Sequence, residues 1–266
     1  MAVRRRPARE APGQHFLRSK QLAADLVAEA RLGLDDLVVE IGGGTGVLTR
    51  ALARTGARVI VVERDQALAA QLRAGFGHLS GVEIAQGDAV RHDWPRKPFV
   101  VVANLPFARS GAILAHLLRD PRLPLQRAHV IVQWEFAAKH GAVWPATLRS
   151  TYWRAWHEVS IGRHLDRQAF APPPSVDAAV LQLRRRTEPQ VPLELHEAYW
   201  RFLAGGFASP RPIRLALRPI LTRLQLKRLA PALGFAPNAR ARELDAQQWA
   251  HLFAFACEAG LVDACR

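Results

Sequence analysis

Four glycines within five residues, directly after an apolar run, constrain the fold of this chain more than any other feature. The run over residues 38–41 breaks into Gly42, Gly43, Gly44 and Gly46, and apolar residues then recur at helical spacing over residues 47–52. This pattern predicts a buried strand, a tight loop and a helix. A second apolar run ends on Glu63, which lies 21 positions after Gly42 and is placed to accept the hydroxyls of a ribose. The sequence therefore predicts the nucleotide-binding half of an α/β fold.

The spacing of the glycines separates two classes of cofactor. A dinucleotide-binding loop needs its third glycine where this chain has Val47, so NAD is disfavoured. The set Glu40, Gly42, Gly44 and Gly46 instead resembles the first motif of S-adenosylmethionine-dependent methyltransferases. That resemblance implies S-adenosylmethionine as the cofactor, with Gly42 and Gly44 passing close beneath its methionine part.

The rest of the first two thirds of the chain alternates strands with helices. Strands are predicted at residues 58–63, 82–86, 99–103 and 128–133, with helices beginning after Ser19 and Asp65 and at Ser110. Two later strands, at residues 153–161 and 176–183, are expected to form a hairpin at the sheet edge. The predicted fold is α/β: a Rossmann-like class I methyltransferase domain with a mostly parallel sheet and an antiparallel edge hairpin, plus a small C-terminal all-helical domain. Ligands bind such sheets beyond the carboxyl ends of the strands, so the loops at residues 42–46, 63, 88 and 104 should meet in one crevice.

Charge and composition suggest three parts and a polyanionic partner. Lys and Arg outnumber Asp and Glu by 37 to 23, a net charge of +14, which is typical of a protein that binds nucleic acid. We expect a basic N-terminal arm at residues 1–13, a catalytic domain at 14–186 and a helical RNA-binding domain at 187–266. The arm either contacts RNA or is an inert tail. The helical part either contacts phosphates or presents a solvated basic face; its cations are Arg201, Arg211, Arg214, Arg218, Arg223, Lys227 and Arg228.

The tetrapeptide Asn104-Leu105-Pro106-Phe107 is the second specific feature. The lone pair of an exocyclic base amine is delocalised into the ring, so an enzyme that methylates this amine must localise it. The Asn104 side-chain carbonyl and the Leu105 backbone carbonyl, in a turn fixed by Pro106, are candidates to accept the two amine hydrogens. Phe107 is then expected to stack on the base. A base methylated on this edge must be flipped out or taken from a loop.

Other residues complete the candidate site. Asp88 is a candidate acceptor for the adenine amine of the cofactor and Glu63 for its ribose, although either acid could instead cap a helix. The stretch containing Gln14, His15 and Leu17 is expected to close over the methionine end. Phe170 is a candidate for the second face of an aromatic clamp on the target base, or else a buried hairpin side chain.

Cysteine usage and hydropathy indicate the compartment. Cys257 and Cys265 are the only cysteines of the sequence, and no C-x-x-C or zinc-ligand spacing occurs. No run approaches the ~18 apolar residues of a membrane span. We therefore expect a cytoplasmic protein without metal or membrane association.

Over nearly its whole length the chain resembles the rRNA adenine-N6 dimethyltransferases, and within them the erythromycin-resistance (Erm) methyltransferases. The resemblance rests on these segments: residues 13–17, 40–49, Glu63, Gly87-Asp88-Ala89, 104–107, Gln133-Trp134-Glu135-Phe136-Ala137 and 170–177. It implies that Ala89 joins Asp88 in the cofactor site, and that the enzyme methylates N6 of one adenine in the peptidyl-transferase loop of 23S rRNA. Methylation there would block macrolides, lincosamides and streptogramin B. We expect a monomer that acts on 23S rRNA before ribosome assembly is complete.

Three features favour the Erm branch over the small-subunit dimethyltransferases of the KsgA type. Phe107 replaces the tyrosine usual in the sister branch, residues 144–153 resemble actinobacterial Erm sequences, and the C-terminal part is small and rich in arginine. His15 departs from the asparagine usual in the family. Two alternatives stay open: a KsgA-type 16S rRNA dimethyltransferase, and a non-catalytic RNA-binding or transcription factor on a methyltransferase scaffold.

Overall fold

A seven-stranded sheet forms the centre of the protein, in a computed structural model that describes residues 15–236 and 238–262. Its strands are β2 (Leu37–Ile41), β3 (Arg58–Glu63), β4 (Val82–Gln86), β5 (Phe99–Asn104), β6 (Leu125–Gln133), β7 (His157–Leu165) and β9 (Ala178–Arg185). Their order is β4-β3-β2-β5-β6-β9-β7. The five strands from β4 to β6 are parallel, and β9 runs antiparallel to both β6 and β7. The predicted fold class is therefore confirmed.

Apolar residues at the first five positions of β5 explain why this strand lies at the middle of the sheet. Phe99, Val100, Val101, Val102 and Ala103 are all buried, as expected of a parallel strand covered on both faces. The order of connection reverses between β2 and β5, because β2 leads outward to β3 and β5 leads the other way to β6. A crevice opens at such a switch point, beyond the carboxyl ends of the two strands.

Helices cover both faces of the sheet and form the C-terminal part. They are α1 (Lys20–Glu29), α2 (Val47–Ala53), α3 (Gln66–Phe76), α4 (Ser110–Leu117), α5 (Trp134–Gly141), α6 (Leu148–Arg154), α7 (His196–Phe207), α8 (Ile213–Ala216), α9 (Arg223–Ala232) and α10 (Ala246–Glu258). The predicted caps are confirmed at Ser19 and Asp65, whose side chains accept the N–H groups of Leu22 and Leu68. The capping box of Asp245 and Gln248 is also present.

The predicted strand at residues 153–161 is wrong at its beginning. Thr147 and Ser150 form a capping box that starts α6, and this helix includes Trp153 and ends at Arg154 before β7 begins at His157. The reciprocal hydrogen bonds of the box satisfy two N–H groups that a strand would have left to a neighbour. The hairpin itself is present, since β7 pairs antiparallel with β9 at the sheet edge.

A short second sheet ties the first described residues to a distant loop. Strand β1 (Phe16–Leu17) pairs antiparallel with β8 (Phe170–Ala171). Arg18 adds a further hydrogen bond from its N–H to the Ala169 carbonyl. Residues 15–17 are thereby fixed beside the crevice, while the predicted basic arm at residues 1–13 lies outside the described residues.

The helices of residues 187–262 share one continuous core with the sheet domain. Tyr152 and Trp156, which flank the end of α6, contact each other with ring centroids 4.8 Å apart, and Trp156 contacts Tyr199 of α7 at 5.8 Å. Tyr199 in turn contacts Phe253 of α10 at 5.1 Å. The domain boundary at residue 187 stays a prediction. In the described parts of the chain, no helix has the length and hydropathy to cross a bilayer.

Two adjacent glycines of α7 offer a matched test of this packing. A methyl group added at Gly206 would overlap the buried ring of Trp249, whereas one added at the exposed Gly205 would meet nothing within 4 Å. We expect Gly206→Ala to lower the free energy of unfolding by about 1–3 kcal/mol through overpacking. Gly205→Ala should raise it by up to about 1 kcal/mol, because alanine is the better helix former. Chemical denaturation of both variants measures the difference, and equal effects would contradict the described packing.

Candidate active site

The crevice at the switch point is a cleft of about 190 Å³. It lies where the loops after β2, β3, β4 and β5 leave the same edge of the sheet. The cleft therefore brings together the stretches that the sequence predicted would converge. Its lining includes His15, Phe16, Gly42, Gly44, Glu63, Asp88, Ala89, Asn104, Leu105, Pro106, Phe107 and Arg109.

The glycine loop is bound to Glu63 by its backbone. The Gly44 N–H donates to Oε2 of Glu63 at 3.0 Å, and the Asp65 N–H donates to Oε1 at 2.8 Å. Gly44 has φ +53°, and a Cβ there would lie 2.7 Å from the Phe16 ring, so only glycine fits. Both oxygens of Glu63 keep further lone pairs. Glu63 lines the cleft, as its predicted role as ribose acceptor requires.

Glu40 lies fully buried between β2 and α2, close to Thr49. Neither carboxyl oxygen makes a hydrogen bond of good geometry. The pKa of Glu40 is raised to about 8, mainly by burial; the nearby Glu63 also raises it and the Thr49 groups partly offset the increase. At neutral pH this side chain is therefore mostly protonated.

Asp88 is held by an arginine that sequence analysis missed. Its Oδ2 accepts from Arg109 Nη2 at 2.9 Å, and its Oδ1 accepts from the Val90 N–H at 3.0 Å. The Arg109 hydrogen bond and the Val90 N–H hold the pKa of Asp88 below its usual value. Asp88 is thus kept as an ionised acceptor on the wall of the cleft, as expected of a group that binds an amine. No local pattern marks Arg109, which the turn after β5 brings within reach.

Asn104 carries the most informative geometry of the site. Its Nδ2 donates to the backbone carbonyl of His15 at 2.7 Å. Its Oδ1 is buried and has no hydrogen-bond partner among the described residues. An unsatisfied buried acceptor is costly, and this one belongs to a residue that lines the cleft. The Oδ1 atom is therefore free to accept a hydrogen bond from a ligand, and the predicted role of Asn104 toward an amine stays a prediction.

Leu105 and Pro106 form the turn that positions Asn104. The Leu105 N–H donates to the Ile131 carbonyl at 3.1 Å, which anchors the turn to β6. The Pro106 carbonyl accepts from the Arg109 N–H at 2.8 Å and from the Ser110 hydroxyl at 3.2 Å. The Leu105 side chain is buried in the core. The proline-fixed turn predicted from the tetrapeptide is present, and its catalytic role stays a prediction.

The two aromatic candidates touch each other. Phe107 and Phe170 meet edge to face, with centroids 5.8 Å apart and an interplanar angle of 72°, so no base fits between them as placed. Phe170 is 0% exposed and Phe107 9%. Phe170 therefore has the position of the buried hairpin side chain that was left open as its alternative, and it supports Phe107 from below.

Of the N-terminal candidates, His15 contacts the site through both its side chain and its backbone. The His15 ring lies 5.4 Å from Phe107, and its Nδ1–H donates to the Pro172 carbonyl at 2.9 Å. The His15 carbonyl is the partner of Asn104, a contact that no side-chain pattern could reveal. Leu17 is buried in β1. Gln14 lies outside the described residues.

An open parallel sheet with a glycine loop, two acids and a buried amide acceptor at its switch point defines a class I methyltransferase. The profile of the ribosomal RNA adenine dimethylase family matches residues 6–257. The chain belongs to this family. It is an S-adenosylmethionine-dependent enzyme that methylates adenine in ribosomal RNA, and the predicted cofactor is confirmed.

Curated relatives fall into both branches of the family. An rRNA adenine N-6-methyltransferase of Bacillus licheniformis is 28% identical over 91% of this chain and 84% of its own length. A ribosomal RNA small subunit methyltransferase A of Thermosynechococcus vestitus is 35% identical over 91% of this chain and 94% of its own length.

Among solved structures, the 23S rRNA methyltransferase ErmE superposes with a TM-score of 0.78 and 28% identity, covering 90% of this chain and 98% of ErmE. A dimethyladenosine transferase from Plasmodium falciparum superposes with a TM-score of 0.73 at 21% identity, over 92% of this chain and 98% of its own. This second likeness shows the fold alone. Among residues 15–236 and 238–262, no group of three or more His, Cys, Asp and Glu side chains is arranged to hold a metal ion.

Replacing Glu63 by glutamine tests its role in holding the loop and the cofactor. The amide NH₂ would face the N–H of Gly44 or Asp65, which sets donor against donor. We expect Glu63→Gln to weaken S-adenosylmethionine binding about ten- to hundredfold, the loss typical of a hydrogen bond to a charged group. Calorimetric titration measures it. Glu83→Gln is the matched control, because Glu83 is exposed on β4, and comparable loss in both variants would argue against the assignment.

The buried Glu40 predicts a pH dependence of stability. Between an unfolded pKa near 4.5 and a folded pKa of about 8, the folded state binds the extra proton, so this residue lowers stability as pH rises. We expect Glu40→Gln, which has no proton to lose, to remove a slope of at most about 1.4 kcal/mol per pH unit. Unfolding free energies of wild type and variant from pH 5 to 8 test this. A constant difference between the two proteins would contradict the raised pKa.

Proposed function

We propose that this enzyme transfers methyl groups from S-adenosylmethionine to N6 of one adenine in the peptidyl-transferase loop of 23S rRNA, and thereby confers resistance to macrolides, lincosamides and streptogramin B. The observation that carries the chemistry is the buried, unpartnered Oδ1 of Asn104 in the cleft. The choice of 23S rRNA is supported by the likeness to ErmE, over 98% of that chain.

The proposed reaction needs positioning rather than a strong base. The cofactor supplies a methyl group already activated by its sulfonium. Asn104 Oδ1 accepts one amine hydrogen and the Leu105 carbonyl accepts the other, which localises the lone pair on N6. The amine nitrogen then attacks the methyl carbon as the sulfur–carbon bond breaks, and a proton leaves the amine. Holding the two centres in line can supply about 7–11 kcal/mol of the barrier reduction.

The basic surface fits the RNA part of the proposal. Exposed cations follow the helices from α7 to α9, namely Arg201, Arg211, Arg218, Arg223, Lys227 and Arg228. Arg214 is half-buried, and its Nε donates to Asn238. Cations contribute to affinity through phosphate contacts without reading sequence. We propose that residues 187–266 hold the RNA backbone, that the enzyme acts as a monomer in the cytoplasm, and that it acts before ribosome assembly is complete.

A second candidate substrate is 16S rRNA. The relative in Thermosynechococcus vestitus, 35% identical, is named a small subunit methyltransferase, and its identity to this chain exceeds that of ErmE. The same amide acceptor serves either adenine.

Parallel transfer assays separate the two substrates. Purified, protein-free 23S and 16S rRNA are incubated with labelled S-adenosylmethionine, and the modified base is mapped by a primer-extension stop. We expect label on a single 23S adenine, and macrolide resistance when the protein is expressed. Label on 16S rRNA alone would show that the enzyme belongs to the small-subunit branch. Label on neither rRNA would overturn the proposal.

Asn104→Ala tests the catalytic assignment within the same assay. The substitution removes the acceptor for the amine hydrogen, so we expect transfer to fall at least about a hundredfold, in the range of a lost transition-state hydrogen bond. Cofactor affinity should stay within a few-fold of wild type, because Gly44, Glu63 and Asp88 are unchanged. Calorimetry and a thermal melt serve as controls. Full activity in this variant would contradict the role of Asn104.

A further inference from the structure

Trp134 occupies the edge of the sheet directly beside the candidate site. It follows Gln133, the last residue of β6, and β6 is the neighbour of β5, which ends at Asn104. The cofactor loop follows β2 on the other side of β5. Adjacent strands lie about 4.8 Å apart, so along this edge the order is cofactor loop, Asn104 and then Trp134. Trp134 therefore lies one strand beyond Asn104, on the side away from the cofactor loop.

Trp134 is unusual among the tryptophans of the chain in being both exposed and at this edge. It is 39% exposed, whereas Trp94, Trp153, Trp156 and Trp249 are buried. Trp144 and Trp200 are also exposed, at 58% and 38%, but Trp144 lies beside Arg242 and Trp200 lies in α7. Its backbone N–H donates to the Asp177 carbonyl at 2.9 Å. The indole is therefore a large apolar surface open to solvent on a fixed backbone.

One contact touches the ring, and two further contacts hold the residue that makes it. Trp134 and His164 meet edge to face with centroids 5.2 Å apart. His164 Nε2 lies 3.1 Å from Asp177 Oδ2, and Asp177 Oδ1 accepts the Arg167 N–H at 3.0 Å. Because these contacts exist before any ligand arrives, little conformational entropy remains to be lost on binding.

The depression around the ring suits a nucleobase better than a phosphate. It encloses about 370 Å³ and is lined by Trp134, Glu135, Asp166, Arg167, Ser175, Val176 and Asp177. Three carboxylates outnumber the one arginine, which disfavours a phosphate group. Stacking on an indole needs no charge, and it is the usual way in which proteins hold unpaired bases.

We propose that Trp134 is a stacking platform for an unpaired RNA nucleobase that flanks the target adenine. The platform lies on the side of the target opposite the cofactor, and it helps to keep the strand open while the adenine occupies the cleft. This inference rests on the proposed function for its substrate, and it assigns a binding residue distinct from Asn104 and Phe107.

The test uses an RNA hairpin whose loop contains the methylated adenine, taken from whichever rRNA carries the label, with 2-aminopurine at the adjacent position. We expect Trp134→Ala to raise the Kd and KM for RNA about five- to hundredfold, as for one lost base–aromatic stack. The kcat and the cofactor affinity should stay near wild type, and quenching of 2-aminopurine on binding should disappear. Trp134→Phe should recover most of the affinity. The slope of log Kd against log salt should be unchanged, because no phosphate contact is lost.

Trp144→Ala is the matched control, since Trp144 is 58% exposed and borders Arg242 and Glu243 rather than the cleft. If Trp134→Ala binds RNA and quenches 2-aminopurine as the wild type does, the proposal is overturned. Methyl transfer by the wild type would still uphold the proposed function. A parallel loss of thermal stability and cofactor affinity would also overturn the proposal, by showing a structural role only. If the wild type labels neither rRNA, the proposed function fails, and the platform fails with it.

Discussion

The orientation of one amide determines what this site can do. Asn104 donates through Nδ2 to the His15 carbonyl at 2.7 Å, and the reverse orientation would oppose two oxygens. The bond in turn depends on β1, which pairs with β8 and fixes residues 15–17 beside the cleft. Three distant stretches of chain are thus needed to present one acceptor. Because the partner is a backbone carbonyl, this hydrogen bond does not depend on which side chain stands at position 15, although the His15 ring makes its own contacts with Pro172 and Phe107.

Two acids lie near the glycine loop, and only one of them accepts hydrogen bonds of good geometry from the backbone. The N–H groups of Gly44 and Asp65 both go to Glu63, while Glu40 on the neighbouring strand has no hydrogen bond of good geometry. Two close buried carboxyl groups do not both ionise at low cost. Burial is the main cause of the raised pKa of Glu40, about 8, and the nearby Glu63 adds to it. Because Glu40 is mostly uncharged, the negative charge of the cleft lies on its wall, where the ribose and amine groups of the cofactor are expected.

Local pattern made the central sheet predictable, and long-range contact explains what was missed. Residues 58–63 form β3 with the predicted bounds because apolar periodicity and the terminal acid are both local signals. The start of α6 was missed because a Thr–Ser capping box outweighed the strand pattern that follows it. Arg109 and the His15 carbonyl were missed because their partners lie 21 and 89 residues away in the chain. The burial of Phe170 depends on the pairing of β1 with β8, and strands of two residues are too short to be predicted from a sequence pattern.

The distribution of charge separates two tasks in RNA binding. The edge beside Trp134 carries more carboxylates than cations, whereas exposed arginines follow the helices after residue 196. Phosphate attraction is long-ranged and insensitive to sequence, so its source does not need to lie near the target base. Base stacking is short-ranged, so a residue that stacks must lie next to the target base. The continuous aromatic contacts from Tyr152 through Trp156 and Tyr199 to Phe253 join the end of α6 to α7 and α10 in a close-packed core. Since such cores do not deform easily, the C-terminal helices, which we propose hold the RNA backbone, are kept at a fixed distance from the sheet domain.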